Sequence, residues 1–248
     1  MSPSVPLDAL RPDDQTRVEA ATRAIVDGGG ERIMGVALVG EAVPRRRHDG
    51  ALHLELLVLL DRSPHVASLT NIGRRLDTDL SLHLFTSAEW LRSADVLALD
   101  LAEQRARHVS LHGRIPFADL VITARHLRLA VERELRMCLR DLREGAVRHG
   151  RTPLTSERLA PVLRRLAVVA HQLPPLLGEP PGEAASQLEL IAALGDRCGE
   201  GRGWLSAWTE DNHAAAGAEL LDLVAPLTAL VSAVLAEVDA FGASDAMA

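Results

Sequence analysis

The chain has 248 residues, 47% hydrophobic and 25% charged, which is ordinary globular usage with room for one sizeable core or two modest ones. Its formal net charge of -7 excludes a general attraction to nucleic acid or anionic lipid, so binding of that kind would need a local basic patch. Residues 12–27 form the first predicted helix, with Val18, Ala21, Ile25 and Val26 in an apolar stripe and Gly28, Gly29 and Gly30 as its stop. Two strands joined by a polar loop follow. The first, residues 33–39, is a short apolar run ending at Gly40, and the second, residues 51–60, is nearly continuous in leucine and valine. His53 and Glu55 interrupt the second strand two residues apart, so they share one face while Leu52, Leu54 and Leu56 take the other. The loop between the strands carries Arg45, Arg46 and Arg47, which either contact phosphate near Gly40 or form a solvated tip. A helix is expected over 64–76, with Val66, Leu69, Ile72 and Leu76 at helical spacing. Strand 80–86 alternates, with Leu80, Leu82 and Leu84 facing one way and Ser81, His83 and Phe85 the other, and a short helix follows over 87–93.

A strand ending in Gly40-Glu41, then a strand carrying His53-x-Glu55, resembles the nucleotidyltransferase superfamily with the DNA polymerase β-like fold. That family has a Gly-Ser turn after one strand and an Asp-x-Asp pair on the next. The resemblance implies an α+β protein: a nucleotidyltransferase-like mixed sheet with flanking helices over residues 1–120, then an all-helical bundle domain over 121–248. It also implies roles. Gly40 would let the backbone approach a triphosphate, and the carboxylates would hold magnesium or manganese to neutralise charge at the transferring phosphorus. This chain departs from the pattern at Glu41, which stands for the serine, and at His53, which stands for the first aspartate. Glu55 falls at the second. Ser81 and His83 occupy the strand on which the family places its remaining carboxylate, and Asp77 and Asp79 precede it as a cap or turn. An alternative donor set is His53, Glu55 and His83, two imidazoles and a carboxylate suited to zinc or iron.

Residues 96–122 again resemble the family, in which a strand, a polar turn and a second strand precede a long helix; here the second strand ends in Leu111-His112-Gly113. His108 and His112 would share a face of that strand but stand too far apart to chelate one ion. From Thr123 the apolar period becomes about 3.6, and Leu127, Val131, Leu135, Cys138 and Leu142 line one side of a long helix that Gly145 to Gly150 ends. Its other side carries Arg125, Arg128, Arg133, Arg136, Arg140 and Arg143 against Glu132, Glu134 and Asp141. Such a face is either salt-bridged and solvated or a receptor for a phosphate-bearing ligand. Further helices are expected from Ser156 to the Pro174-Pro175 pair, over 185–194 and over 212–241. A Pro/Gly-rich linker at 176–185 separates the first two, and an amphipathic piece with Trp204 and Trp208 precedes the last. The Arg143/His149 and Arg165/His171 spacings match helical ribonucleases, but chance supplies that spacing in so arginine-rich a chain.

Cys138 and Cys198 have neither metal nor redox spacing, and the first residues lack a secretion pattern. No uninterrupted apolar run is long enough to span a bilayer, so a cytoplasmic protein without membrane or general nucleic-acid binding is expected. Two functions follow from the resemblance. The favoured one is a protein of this fold whose metal and triphosphate site is degraded, catalytically inactive, and serving as a nucleotide- or protein-binding regulatory module. The alternative is an active enzyme moving a nucleoside monophosphate from a nucleoside triphosphate to a hydroxyl of a small molecule or protein. There Glu55 and a recruited Asp49 or Glu41 would hold magnesium or manganese. A protein partner would dock on the helical half, and a homodimer is the base-rate expectation.

Overall fold

The computed structural model describes residues 10–40, 54–64, 66–76, 80–149, 151–152, 154–180, 187–200 and 218–245. The chain divides into two compact units, Met1–Ile122 and Thr123–Ala248. Together they make an α+β protein, a mixed four-stranded sheet with helices followed by helices that pack together.

In the first unit α1 (Pro12–Gly29) starts with a proline, whose missing N–H costs nothing at that position, and with Asp13 and Asp14 at the positive end of the helix dipole. It runs two residues beyond the predicted stop because Gly28 and Gly29 lie against Ile72 and Ile33. A Cβ at Gly29 would stand 2.4 Å from the Ile33 Cδ1. The sheet has the order β3-β2-β1-β4. β1 (Ile33–Val39) is antiparallel to β2 (Leu54–Leu60) and to β4 (Val109–Gly113), while β2 is parallel to β3 (Leu80–Thr86).

Both faces of β1 and β2 are covered, which explains their unbroken apolar runs. On one face Val36, Leu38, Leu54, Leu56 and Val58 pack with Ile25 of α1 and Ile72 of α2 (Val66–Gly73). On the other, Ala37, Val39, Leu57 and Leu59 pack with Trp90 of α3 (Ser87–Arg92) and Leu101 of α4 (Ala98–Ala106). Each fully buried leucine contributes about 1.5–3 kcal/mol. Helix α3 begins at a capping box in which Thr86 and Glu89 exchange hydrogen bonds, so the end of β3 passes directly into it.

Two expectations for this unit change. Helix α2 is shorter than the predicted 64–76. Residues 98–106, in the stretch expected to open with a strand and a polar turn, are helical, because residues 97–106 contain no β-branched side chain and consist mostly of strong helix formers.

The second unit contains α5 (Ala124–His149), α6 (Ser156–Leu176), α7 (Gln187–Arg197), α8 (Ala218–Leu221) and α9 (Val224–Asp245). Helix α5 packs on α6 and α9, and α7 packs on α6 and α9. The predicted stripe Leu127, Val131, Leu135, Cys138 and Leu142 is buried, together with Leu139. Helix α5 ends at His149, within the expected stretch 145–150; Gly145 itself lies inside the helix, where its missing side chain admits the Leu154 Cδ1 to 3.3 Å from the Cβ position. The predicted last helix is broken at 222–223. Pro226 explains the break, since it fits the first turn of α9 but in a longer helix would forfeit an internal hydrogen bond. The stretch Val224–Gly242 is long and apolar enough to cross a membrane by length and composition. Here Leu227, Leu230, Val231, Val234 and Val238 are buried, and Glu237 and Asp239 interrupt the run. The Trp204 and Trp208 segment and the Asp77/Asp79 pair lie outside the described residues.

Candidate functional site

The register of the parallel pair β2–β3 sets the site. Glu55 stands opposite Ser81 and Leu57 opposite His83, so Glu55 and His83 are diagonal neighbours on the face that also carries Leu57, Leu59 and Phe85. His83 leans back along the strand until its Nε2 lies 3.1 Å from the Glu55 Oε2. The side chains are 38% and 25% exposed, so the pair sits at a rim that water reaches. The hydrogen bond to Glu55 holds the His83 imidazole above its usual pKa. Burial works against this rise, and the charges of Glu55 and of Asp100 on α4 add to it.

Gly40 completes the arrangement from the end of β1. Its neighbour Val39 pairs with Glu55, and Gly40 itself has φ +76°, a conformation that glycine adopts without strain. A Cβ there would lie 2.8 Å from the Glu55 carboxyl carbon and 3.0 and 3.1 Å from its two oxygens. The carboxylate therefore rests over bare backbone.

Of the residues singled out from sequence, Gly40, Glu55 and His83 come together. His53, Glu41, Arg45, Arg46, Arg47 and Asp49 lie outside the described residues. Among the described residues no group of three His, Cys, Asp or Glu side chains is placed to hold a metal ion. Taken by themselves, the described donors, one carboxylate beside one imidazole, do not make the paired hard-oxygen ligands of a two-magnesium centre. For zinc they supply two donors of the three expected. Asp100 is the group that sequence reasoning missed. Its signal was the helical pattern of LALDLAEQ, which the expected strand obscured.

Several of the other described histidines and arginines have structural partners. His108 precedes β4 rather than lying in it, stacks on Phe117 with ring centroids 3.9 Å apart, and has Nδ1 3.2 Å from the Gln104 carbonyl oxygen. His112 is exposed on β4. On α5, Arg136 and Arg128 both pair with Glu132, and Arg140 pairs with Asp141. A shallow groove along that helix is lined by Leu129, Glu132, Arg133, Arg136, Met137 and Arg140 and belongs to the helical unit. The ribonuclease-like spacings dissolve: Arg165 is bound to Asp141 at 2.6 Å and to Glu134, His171 is buried beside Gln172, and the His149 Nδ1 accepts the Leu154 N–H.

No protein-family model matches the chain, and no curated protein matches it in sequence. Among solved structures it is similar to the spectinomycin adenyltransferase AAD(9) from Enterococcus faecialis, determined with ATP and spectinomycin. The TM-score is 0.59 at 10% sequence identity, over 88% of this chain and 98% of that one. At that identity the likeness is one of fold, the nucleotidyltransferase fold with a helical C-terminal half.

Proposed function

We propose that this nucleotidyltransferase-fold chain binds a nucleotide without transferring it and serves as a regulatory module, engaging a protein partner through its helical half. The observation that carries the reading is the Glu55–His83 pair, 3.1 Å apart. Two-metal transfer needs carboxylates side by side to hold two divalent ions against a triphosphate. Here the carboxylate's neighbour is an imidazole, which offers magnesium a poor ligand and, when protonated, neutralises Glu55 itself. Support for a nucleotide ligand comes from the adenyltransferase of the same fold, whose structure holds ATP.

Calorimetry of the full chain with ATP, GTP, CTP and UTP, each with and without magnesium or manganese, tests binding. A pyrophosphate-release assay with hydroxyl-bearing acceptors, spectinomycin included, tests transfer. Binding without pyrophosphate release is expected. Metal-dependent release that Glu55→Ala abolishes would refute the inactive reading and establish the second one, transfer of a nucleoside monophosphate to a hydroxyl. That second reading is favoured by the extent of the likeness, 98% of the adenyltransferase chain, and would recruit Glu41 or Asp49 beside Glu55.

A further inference from the structure

The Glu55 carboxylate is confined from two sides. Gly40 offers it bare backbone, with room that even a methyl group would remove, and His83 meets it with Nε2 3.1 Å from Oε2. A glycine that lets an anion approach the main chain, beside an imidazole able to donate a hydrogen bond, suits an anion, and here the anion beside them is the protein's own Glu55. Among the described residues, the charged groups acting on His83 are Glu55 on β2 and Asp100 on α4. Both are negative, and neither competes with an incoming anion for a place on the imidazole except Glu55.

We propose that Glu55 is an internal plug: a phosphate group of the nucleotide enters by displacing the Glu55 carboxylate from Gly40 and His83, and it needs no divalent metal to do so. This rests on the nucleotide-binding reading above. A phosphate oxygen presents the same charge and the same acceptor lone pairs as the carboxylate oxygen it replaces, so His83 donates to it in the same way. The two anions cannot share the place. At about 4 Å their repulsion, even screened as in bulk water, weakens binding by about fivefold. Removing the plug's charge therefore strengthens metal-free binding. Charge removal at a mere metal ligand would also ease metal-free binding, so the plug is distinguished by a gain that depends on His83.

The test is titration calorimetry of the full chain in EDTA, with ATP and with inorganic tripolyphosphate as probes, on wild type, Glu55→Gln, Glu55→Ala and the double variant Glu55→Gln/His83→Gln. Both single variants should bind at least about fivefold more tightly than wild type, and the His83→Gln change should erase the gain. Equal or weaker binding by the single variants, with wild type still binding ATP, overturns the plug and leaves the nucleotide-binding reading intact. No binding by any protein, in EDTA or with magnesium, overturns both. Wild type supplies a check independent of the substitutions: saturating ATP should shift the His83 imidazole resonances, and resonances unmoved at saturation overturn the proposal.

Discussion

Alanine at Gly40 should destabilise the first unit by about 1–3 kcal/mol, and part of that cost should vanish when Glu55 is absent. The backbone contributes first: a residue with a Cβ held at φ +76° costs about 1–2 kcal/mol. The added methyl would then lie 2.8 Å from the Glu55 carboxyl carbon, closer than atoms tolerate, so the carboxylate must swing away and give up His83. That pair is partly exposed and screened, which limits its worth to at most about 1 kcal/mol. In a Glu55→Ala background only the backbone cost remains. The coupling between the two substitutions is then about 1 kcal/mol, within reach of a double-mutant cycle. Urea unfolding followed by Trp90 fluorescence reports the first unit, since Trp90 is fully buried there, once Trp204 and Trp208 have been changed to phenylalanine. Equal costs for Gly40→Ala in both backgrounds would refute the placement of the carboxylate over Gly40, and with it the basis for the plug.

In the helical unit Leu135 is fully buried and Leu129 is 44% exposed on the same helix. Leu135→Ala should cost about 2–5 kcal/mol in urea unfolding followed by circular dichroism, and Leu129→Ala within about 0.5 kcal/mol; a small effect at Leu135 would mean that α5 packs on another face. Two histidines give the first unit opposite pH dependences, measurable as unfolding midpoints between about pH 5 and 8. His83 is raised above 6.5 by its hydrogen bond to Glu55, so its stabilisation is complete below 6.5 and is lost as pH rises through the folded value, a loss that His83→Gln removes. His108 is lowered by burial, so stability falls as pH drops through 6.5 towards its folded value, and His108→Gln flattens that limb. Variant profiles parallel to wild type would contradict both assignments.

Much of this fold is legible in local pattern. β1 and β3 fall at 33–39 and 80–86 as their apolar runs and alternation predict, and the buried stripe of α5 follows from a 3.6-residue period sustained over a long helix. Legibility fails where two patterns compete. Residues 98–106 lie in a stretch whose family resemblance suggested a strand, yet their side chains favour a helix, and the resemblance hid Asp100. The last helix reads as continuous because its apolar pattern runs through Asp222, and Pro226 breaks it. Gly40, Glu55 and His83 were each conspicuous from type and position alone. Local sequence also put Glu55 and His83 on strand faces, because side chains alternate with a period of two.

What the sequence by itself determined, then, is which residues lie in strands and helices and which of them are apolar on one face. The meeting of Glu55 with His83, 28 positions apart, was decided by tertiary structure. It depends on β3 lying parallel to β2 in the register that sets Ser81 opposite Glu55, and a slip of one residue would turn His83 to the opposite face. That register is chosen by burying Leu54, Leu56 and Val58 with Leu80, Leu82 and Leu84 in a single core, a sum over many contacts that no local window contains.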